Sequence, residues 1–304
     1  MVASVRWQLN EKLTTDQPVI SLRHLLHYQW LLPNRLIHYL RLRHHVLVNG
    51  HYQSVNVDVH PGDQVGLFFN GDEFRTPGAN QYVPTRHPRL LVLYENRDLL
   101  VINKPRGQKS HPNQAGETGT VMNDVAGYLA GTGDGAYMVH RLDRQTSGAL
   151  IVAKNPVVVP VLDRLIAEGQ IHREYLAVVE GRLNGHGEWN WPLGRNPHDH
   201  RWRAVNGLDA QPARTYYKSV ASNANRSLVH LRLGTGRTHQ LRVHLAYSGH
   251  PIVGDPIYNP TSPEKMLLHG VTQQLVLPFS FKKIKITASL PSYFQRYLVK
   301  YGLS

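Results

Sequence analysis

The stretch MVHRLDRQTSGALIVAK, residues 138–154, sets a short charged loop directly against an apolar run. ALIVA at 149–153 has the β-branched, wholly apolar content of a strand buried on both faces. The loop before it holds Asp143 between Arg141 and Arg144. Neighbouring guanidinium groups favour the ionised form of a carboxylate, and an ionised carboxylate can serve as nucleophile or base but is poorly suited to give up a proton. Thr146, Ser147 and Gly148 supply small hydrogen-bonding groups and a permissive backbone, as expected where a loop must hold one shape. An Arg-Asp-Arg loop fits a structural ion pair equally well, and the residues alone leave both readings open.

Working outward, LLVLY, DLLVINK, EYLAVVEG, ARTYYKSV, SLVHLRLG and KIKITASL all read as strands by their apolar, β-branched or alternating content. Helices are fewer. Asn155-Pro156 opens one that Gly169 closes, Thr238 to Ser248 forms another with Gly249 as its stop, and Pro291 begins a terminal one ending near Gly302. Because the strand segments come in adjacent runs, an α+β fold with a mixed, mainly antiparallel central sheet flanked by helices is expected in preference to a doubly wound one.

Upstream, residues 1–75 form a small basic module. SLRHLLHYQWLLPNRLIHYLRLRHHVLVNGHY predicts two short helices and then a hairpin at Asn49-Gly50, followed by strands through VHPGDQVGLFF. Arg23, His24, Arg35, His38, Arg41, Arg43, His44 and His45 include several pairs three or four apart that would share a helical surface, which fits a holder of RNA phosphates and a merely solvated basic face equally well. The module resembles the small RNA-binding domain of the S-four type found in a ribosomal protein, chiefly at LVNG and the Pro-Gly-Asp turn. A Gly/Pro-rich polar stretch follows, with a linker expected at 76–89 and a catalytic domain at 90–304.

Composition narrows the partners. Lys plus Arg total 34 against 21 for Asp plus Glu, a formal net charge of +13 that favours a polyanion, nucleic acid first. The chain has no cysteine, so no disulfide or thiolate metal site can form and a reducing interior suits it. No window approaches the roughly 20 apolar residues of a membrane span, and the N-terminal residues carry no signal-peptide pattern, so a cytoplasmic protein is expected.

His140-Arg-Leu-Asp143-Arg-Gln-Thr-Ser-Gly148 is similar to the signature loop of the RluA-type RNA pseudouridine synthases, His-Arg-Leu-Asp-x-x-Thr-Ser-Gly. VINKPRG at 101–107, REYLAVVEG at 173–181, LGTGRTHQLRVHLAYSGHPIVGDPIY at 233–258 and LLHG at 267–270 extend the resemblance, in the same chain order, over nearly all of residues 90–300. At 173 the family usually has Lys where this chain has Arg, and at 241 often Ile where this chain has Leu.

The resemblance implies the pseudouridine synthase fold and an isomerase that detaches a uracil and rejoins it through carbon, without cofactor or metal. Its catalytic residues correspond to Asp143 as the attacking carboxylate, Tyr175 as the aromatic that stacks on the base, and Arg237 as the guanidinium that orients Asp143. Arg141, Arg144, Lys104 and His140 are expected to bind substrate. RNA is the expected partner, ribosomal in preference to transfer RNA, and the protein is expected to act as a monomer.

Other features are weighed the same way. Gly234-Thr235-Gly236 leads into a helix N-terminus that would welcome a carboxylate or phosphate, but the third glycine of a dinucleotide fingerprint is missing. His239 and His244 stand five apart, not at the spacing of a paired metal site. Asp255, between Gly254 and Pro256, suits a turn, and Arg242 is expected to reach a structural carboxylate or the RNA. The Trp-, Arg- and His-rich tract at 183–212 suits stacking on unpaired bases. Two other functions fit parts of this pattern. An RNA-binding or ribosome-assembly factor on an inactive scaffold would bind RNA without product, and a histidine-based metal hydrolase would lose activity to chelators.

Overall fold

The computed structural model describes residues 7–74 and 82–303. Trp7–Lys12 (β1), Val46–Val48 (β2), His51–Tyr52 (β3) and Gln64–Phe69 (β4) form a four-stranded sheet in the order β1-β4-β2-β3. Asn49 and Gly50 turn the β2–β3 hairpin at φ 50° and 83°, the conformation that Asn-Gly favours. The two short helices lie where they were expected, as the turns of Leu22–Gln29, the second of them a π-turn, and as Asn34–Leu42 (α1).

This module does not stand apart. Leu25, Leu26 and Trp30 belong to one buried cluster with Leu99, Val161 and Phe279 of the larger domain. The Trp30 and Phe279 rings meet edge to face at 5.6 Å, and Arg164 Nη1 donates to the His27 carbonyl at 3.0 Å. Residues 76–81 of the expected linker lie outside the described residues. The remainder is fastened down: Thr85 N donates to the Asn123 carbonyl at 3.0 Å, and Asn123 Nδ2 donates to the Val83 carbonyl at 2.9 Å.

The larger part of the chain is built on a ten-stranded sheet. Val92–Glu95 (β5), Leu99–Lys104 (β6), Tyr137–Met138 (β7) and Ser147–Ala153 (β8) form one side, with helix Val121–Tyr128 (α2) between β6 and β7. After helix Val159–Ala167 (α3) come His172–Glu180 (β9), His186–Trp189 (β10), Thr215–Ser222 (β11) and Arg226–Leu233 (β12). Helix Gln240–Tyr247 (α4), strands Leu268–Val276 (β13) and Lys283–Thr287 (β14), and helix Ser292–Lys300 (α5) complete it.

The main path runs β10-β11-β12-β9-β13-β8-β6-β5, with β14 on β13 and β7 on β8. All pairings are antiparallel except β8 with β13, so the expected mixed, mainly antiparallel sheet is what forms. The helix ends also fall where proline and glycine mark them, with Gly169, Gly249 and Gly302 all at positive φ.

Alternation along β6 explains how one sheet serves two cores. Leu99 and Val101 face the cluster shared with α3 and the N-terminal module, while Leu100 and Ile102 face a second cluster with Val121 of α2 and Leu241 of α4. The single parallel contact depends on Gly148. At φ +118° its backbone lies so close to β13 that an added Cβ would stand 2.2 Å from the Gly270 carbonyl oxygen. No other residue fits there without moving a strand.

Candidate active site

The loop from Val139 to Thr146 crosses the end of β8, on the side of the sheet that α4 covers. Its shape is set by the segment after β6. Ser110 Oγ donates to the Leu142 carbonyl at 2.7 Å and accepts from Leu142 N at 3.1 Å. Gly107 N donates to the Arg144 carbonyl at 2.7 Å, and Arg144 Nε returns a bond to the Gly107 carbonyl at 3.0 Å. Lys104 is fully buried beneath, its ammonium donating to the carbonyls of Pro105, Gln108 and Arg144. It was expected to bind substrate; enclosed by its own chain, it braces the loop instead. Burial pushes it down to about 7, Asp143 opposes that shift and Arg106 adds to it.

Asp143 stands in this loop at the wall of a cavity of about 320 Å³ that Tyr175, Arg173, His140, Arg237 and Leu268 also line. A second depression of about 230 Å³ shares Asp143 and is bordered by Lys109, His111, Arg141 and Arg144. Arg141 and Arg144 are exposed there, placed to meet an anion from solvent.

The guanidinium that holds Asp143 is Arg242. Its Nη1 donates to Asp143 Oδ2 at 3.0 Å, while Nε and Nη2 grip Asp255 in a two-pronged contact, each at 2.7 Å. Asp255 is fully buried, and its Oδ1 also accepts from the backbone N–H of Ile257 and Tyr258. Burial disfavours the Arg242 charge, but Asp255 and then Asp143 outweigh it and hold it above its usual value.

The expected partner, Arg237, forms no ion pair with Asp143 among the described residues; its Nε donates to the Pro212 carbonyl at 3.0 Å and its side chain is exposed on the cavity rim. Neither Arg141 nor Arg144 pairs with Asp143 within the ion-pair distance, despite flanking it in sequence. The reason is geometric: α4 points Arg242 inward toward the loop, and Arg237 precedes the helix at its solvent edge. All six residues from Gln240 to Leu245 are buried, so apolar periodicity could not single out an inward face. The signal in sequence is an arginine set between Leu241 and Val243, where its charge needs a carboxylate partner.

His239 Nε2 lies 3.8 Å from Asp143 Oδ1, and its Nδ1 is 3.0 Å from the Tyr258 hydroxyl. His239 sits at φ 57°, a conformation uncommon for a residue with a side chain. His140 was also expected to touch substrate. Its Nε2 accepts from Ile151 N at 3.1 Å, and burial, followed by the charge of Arg173, pushes it down to about 3, so it lines the cavity as a neutral ring. His244 is buried, bonded to Thr215 and the Trp191 carbonyl. Among the described residues no cluster of three metal-ligating side chains occurs.

Tyr175, on β9, lines the same cavity as Asp143 and is 4% exposed. Burial raises its phenol, Arg173 works against that, and Asp143 adds to it. Asp143 and Tyr175 thus share one cavity, with Arg237 at its rim and Arg242 behind the carboxylate.

The family model for RNA pseudouridylate synthase matches residues 98–247, and that for the RluD ribosomal pseudouridine synthase N-terminal domain matches residues 9–65. The uncharacterized RNA pseudouridine synthase YhcT of Bacillus subtilis (strain 168) is 38% identical over 258 residues, covering 82% of this chain and 83% of the relative. The chain belongs to the RluA-type RNA pseudouridine synthases. It is an isomerase that converts uridine to pseudouridine. Ribosomal large subunit pseudouridine synthase D of Escherichia coli K12 is 33% identical over 285 residues, covering 86% of this synthase and 81% of the relative. Among solved structures, human RNA Pseudouridylate Synthase Domain Containing 1 aligns with a TM-score of 0.57 at 27% identity, over 68% of this chain and 86% of that one.

The tract at 183–212 divides between core and surface. Trp189 is buried, stacked on Tyr217 at 4.3 Å, and so is core and not a platform for bases. Trp202 is 38% exposed on the small sheet formed by Leu193–Arg195, Arg203–Val205 and Leu208–Gln211.

Proposed function

We propose that Asp143 is the catalytic carboxylate of this synthase, that the protein acts on uridines in ribosomal RNA, and that it needs no metal or organic cofactor. The observation that carries the reading is the contact of Arg242 with Asp143 beside a cavity walled by Tyr175. Isomerisation breaks the bond from N1 to C1′, forms one from C5 to C1′, moves a proton off C5 and places one on N1. Nothing is oxidised or reduced, so a carboxylate acting on the sugar or the ring, or taking the C5 proton, balances the reaction unaided.

The target base must leave its stack to reach Asp143. Tyr175 offers a ring face for the extruded uracil, and Arg237, Arg141 and Arg144 ring the opening with positive charge for the RNA backbone. Ribosomal RNA as substrate is supported by relatives named ribosomal large subunit pseudouridine synthase D and by the match to a ribosomal synthase's N-terminal domain. Work in the cytoplasm as a monomer completes the proposal, and among the described residues no helix is long and apolar enough to cross a membrane.

The test offers purified protein unmodified large-subunit ribosomal RNA and unmodified transfer RNA, each with and without chelator, and maps product by carbodiimide-stopped primer extension. Pseudouridine is expected at defined positions of the ribosomal transcript, unaffected by chelator. Binding without product would leave only an RNA-binding scaffold, and product confined to transfer RNA would move the substrate.

A further inference from the structure

Arg173, on β9 two residues before Tyr175, lines the catalytic cavity and is 7% exposed. Among the described residues its guanidinium makes no hydrogen bond and no ion pair, and its Nε is buried without a partner. Of the two carboxylates on the cavity wall, Asp143 is taken by Arg242, and Asp163 lies beyond ion-pair distance of Arg173. A buried guanidinium left without a counter-charge is costly, and such a group persists where a ligand supplies the missing charge.

The space around it is shaped for that ligand. Nη1 and Nη2 each lie 3.0 Å from the point where a Cβ on Gly236 would stand, so the bare glycine keeps the two donors clear of a side chain. Gly236 is exposed in the loop that carries Arg237 to the rim, which puts the fork of Arg173 at the wall between mouth and floor. Tyr175 and His140, both at the floor, feel its positive charge.

We propose that Arg173 is a binding residue for a backbone phosphate adjoining the target uridine. The inference rests on the reading of this cavity as the uridine site. Every nucleotide carries one phosphate at a fixed reach from its ribose, and that group alone among those of uridine supplies a full negative charge. Two parallel N–H donors match two phosphate oxygens, a geometry that a lysine ammonium cannot reproduce. A carbonyl of the neutral base would leave the charge uncompensated until bonds began to break.

The test measures binding of an RNA fragment spanning the mapped uridine in the Asp143→Asn background, where no turnover interferes. The fragment carries native phosphates or one uncharged methylphosphonate on either side of that uridine. Arg173→Gln is expected to weaken native RNA roughly 10- to 100-fold, Arg173→Lys less. One of the two methylphosphonates should cost the protein that retains Arg173 a similar factor and the Arg173→Gln variant nothing further, the non-additivity of a direct pair.

Because the free protein loses an uncompensated charge, Arg173→Gln should melt no lower than its parent, a result that a structural role would not give. On bulk large-subunit ribosomal RNA, which needs no mapped uridine, the salt slope should fall by about one phosphate. If that fall appears while wild-type protein makes no pseudouridine, the functional reading fails and the phosphate contact survives. Additive losses, or a lowered melting temperature with affinity intact, would overturn the proposal.

Discussion

Arg242 reaches two carboxylates at once, and removing it leaves fully buried Asp255 without its counter-charge. Arg242→Ala should destabilise the fold by about 3–5 kcal/mol and abolish isomerisation, read by urea unfolding and single-turnover assay. Arg237→Ala, at an exposed residue, should shift stability by no more than about 0.5 kcal/mol; the reverse ranking would restore Arg237 as the partner of Asp143. Lys104 gives a pH signature. Its folded value, about 7, lies below the ordinary 10.5, so above pH 7 the unfolded chain binds the extra proton and stability rises with pH through that window. The penalty is fully present below pH 7 and relieved toward pH 10.5. Comparing melts of wild type and Lys104→Met from pH 6 to 10 should show that rise in the wild type alone, and parallel curves would refute it. The loop string singled out Asp143 before any coordinates, and Tyr175 was reached only through the resemblance of REYLAVVEG. Arg242 was expected to reach a structural carboxylate, and buried Asp255 is one, but the contact of Arg242 with Asp143 was not foreseen because a glycine-led loop drew attention to Arg237. Lys104 and His140 sit in the right strings, yet their burial depends on chain segments far away in sequence.

At the scale of elements, the strands and helix ends with strong local chemistry were readable: the Asn49-Gly50 hairpin, the apolar run of β8, and helices closed by Gly169 and Gly249. Helix α2 was not, because VMNDVAGY has a mixed composition and its start is fixed by a capping box in which Thr120 pairs with Asn123 instead of the usual Glu or Gln. β13 was also missed. Its sequence LHGVTQQLV carries His, Gln and Thr inward, and the partners of His269 and Gln273 lie elsewhere in the chain: Ser147 and the Ala288 carbonyl for His269, and the Ala149 carbonyl for the Gln273 amide N–H. The β8–β13 contact makes a sharp prediction. Gly148→Ala would drive a methyl into the Gly270 carbonyl and should cost roughly 2–4 kcal/mol by thermal melt, with loss of activity as the 139–146 loop shifts; a near-neutral melt would show that the two strands part freely.

For the whole molecule, the basic N-terminal module and the sheet were predicted as units joined by a linker, and the composition gave no sign that Trp30 would enter a common core. That core predicts one cooperative transition. Far-UV dichroism and tryptophan fluorescence should melt together, and Trp30→Ala should lower the midpoint of both by an amount equivalent to about 3–5 kcal/mol. Two separated transitions would mean that the units fold independently. The net charge of +13, by contrast, was legible at once as attraction to a polyanion. The central claim is that the carboxylate of Asp143, gripped by Arg242, performs the isomerisation inside a molecule otherwise built to hold RNA. Asp143→Asn tests it most directly: the variant should bind unmodified ribosomal RNA within about twofold of wild type and yield no pseudouridine at any mapped position. Product formed by the Asn variant at a rate near that of the wild type would contradict the account.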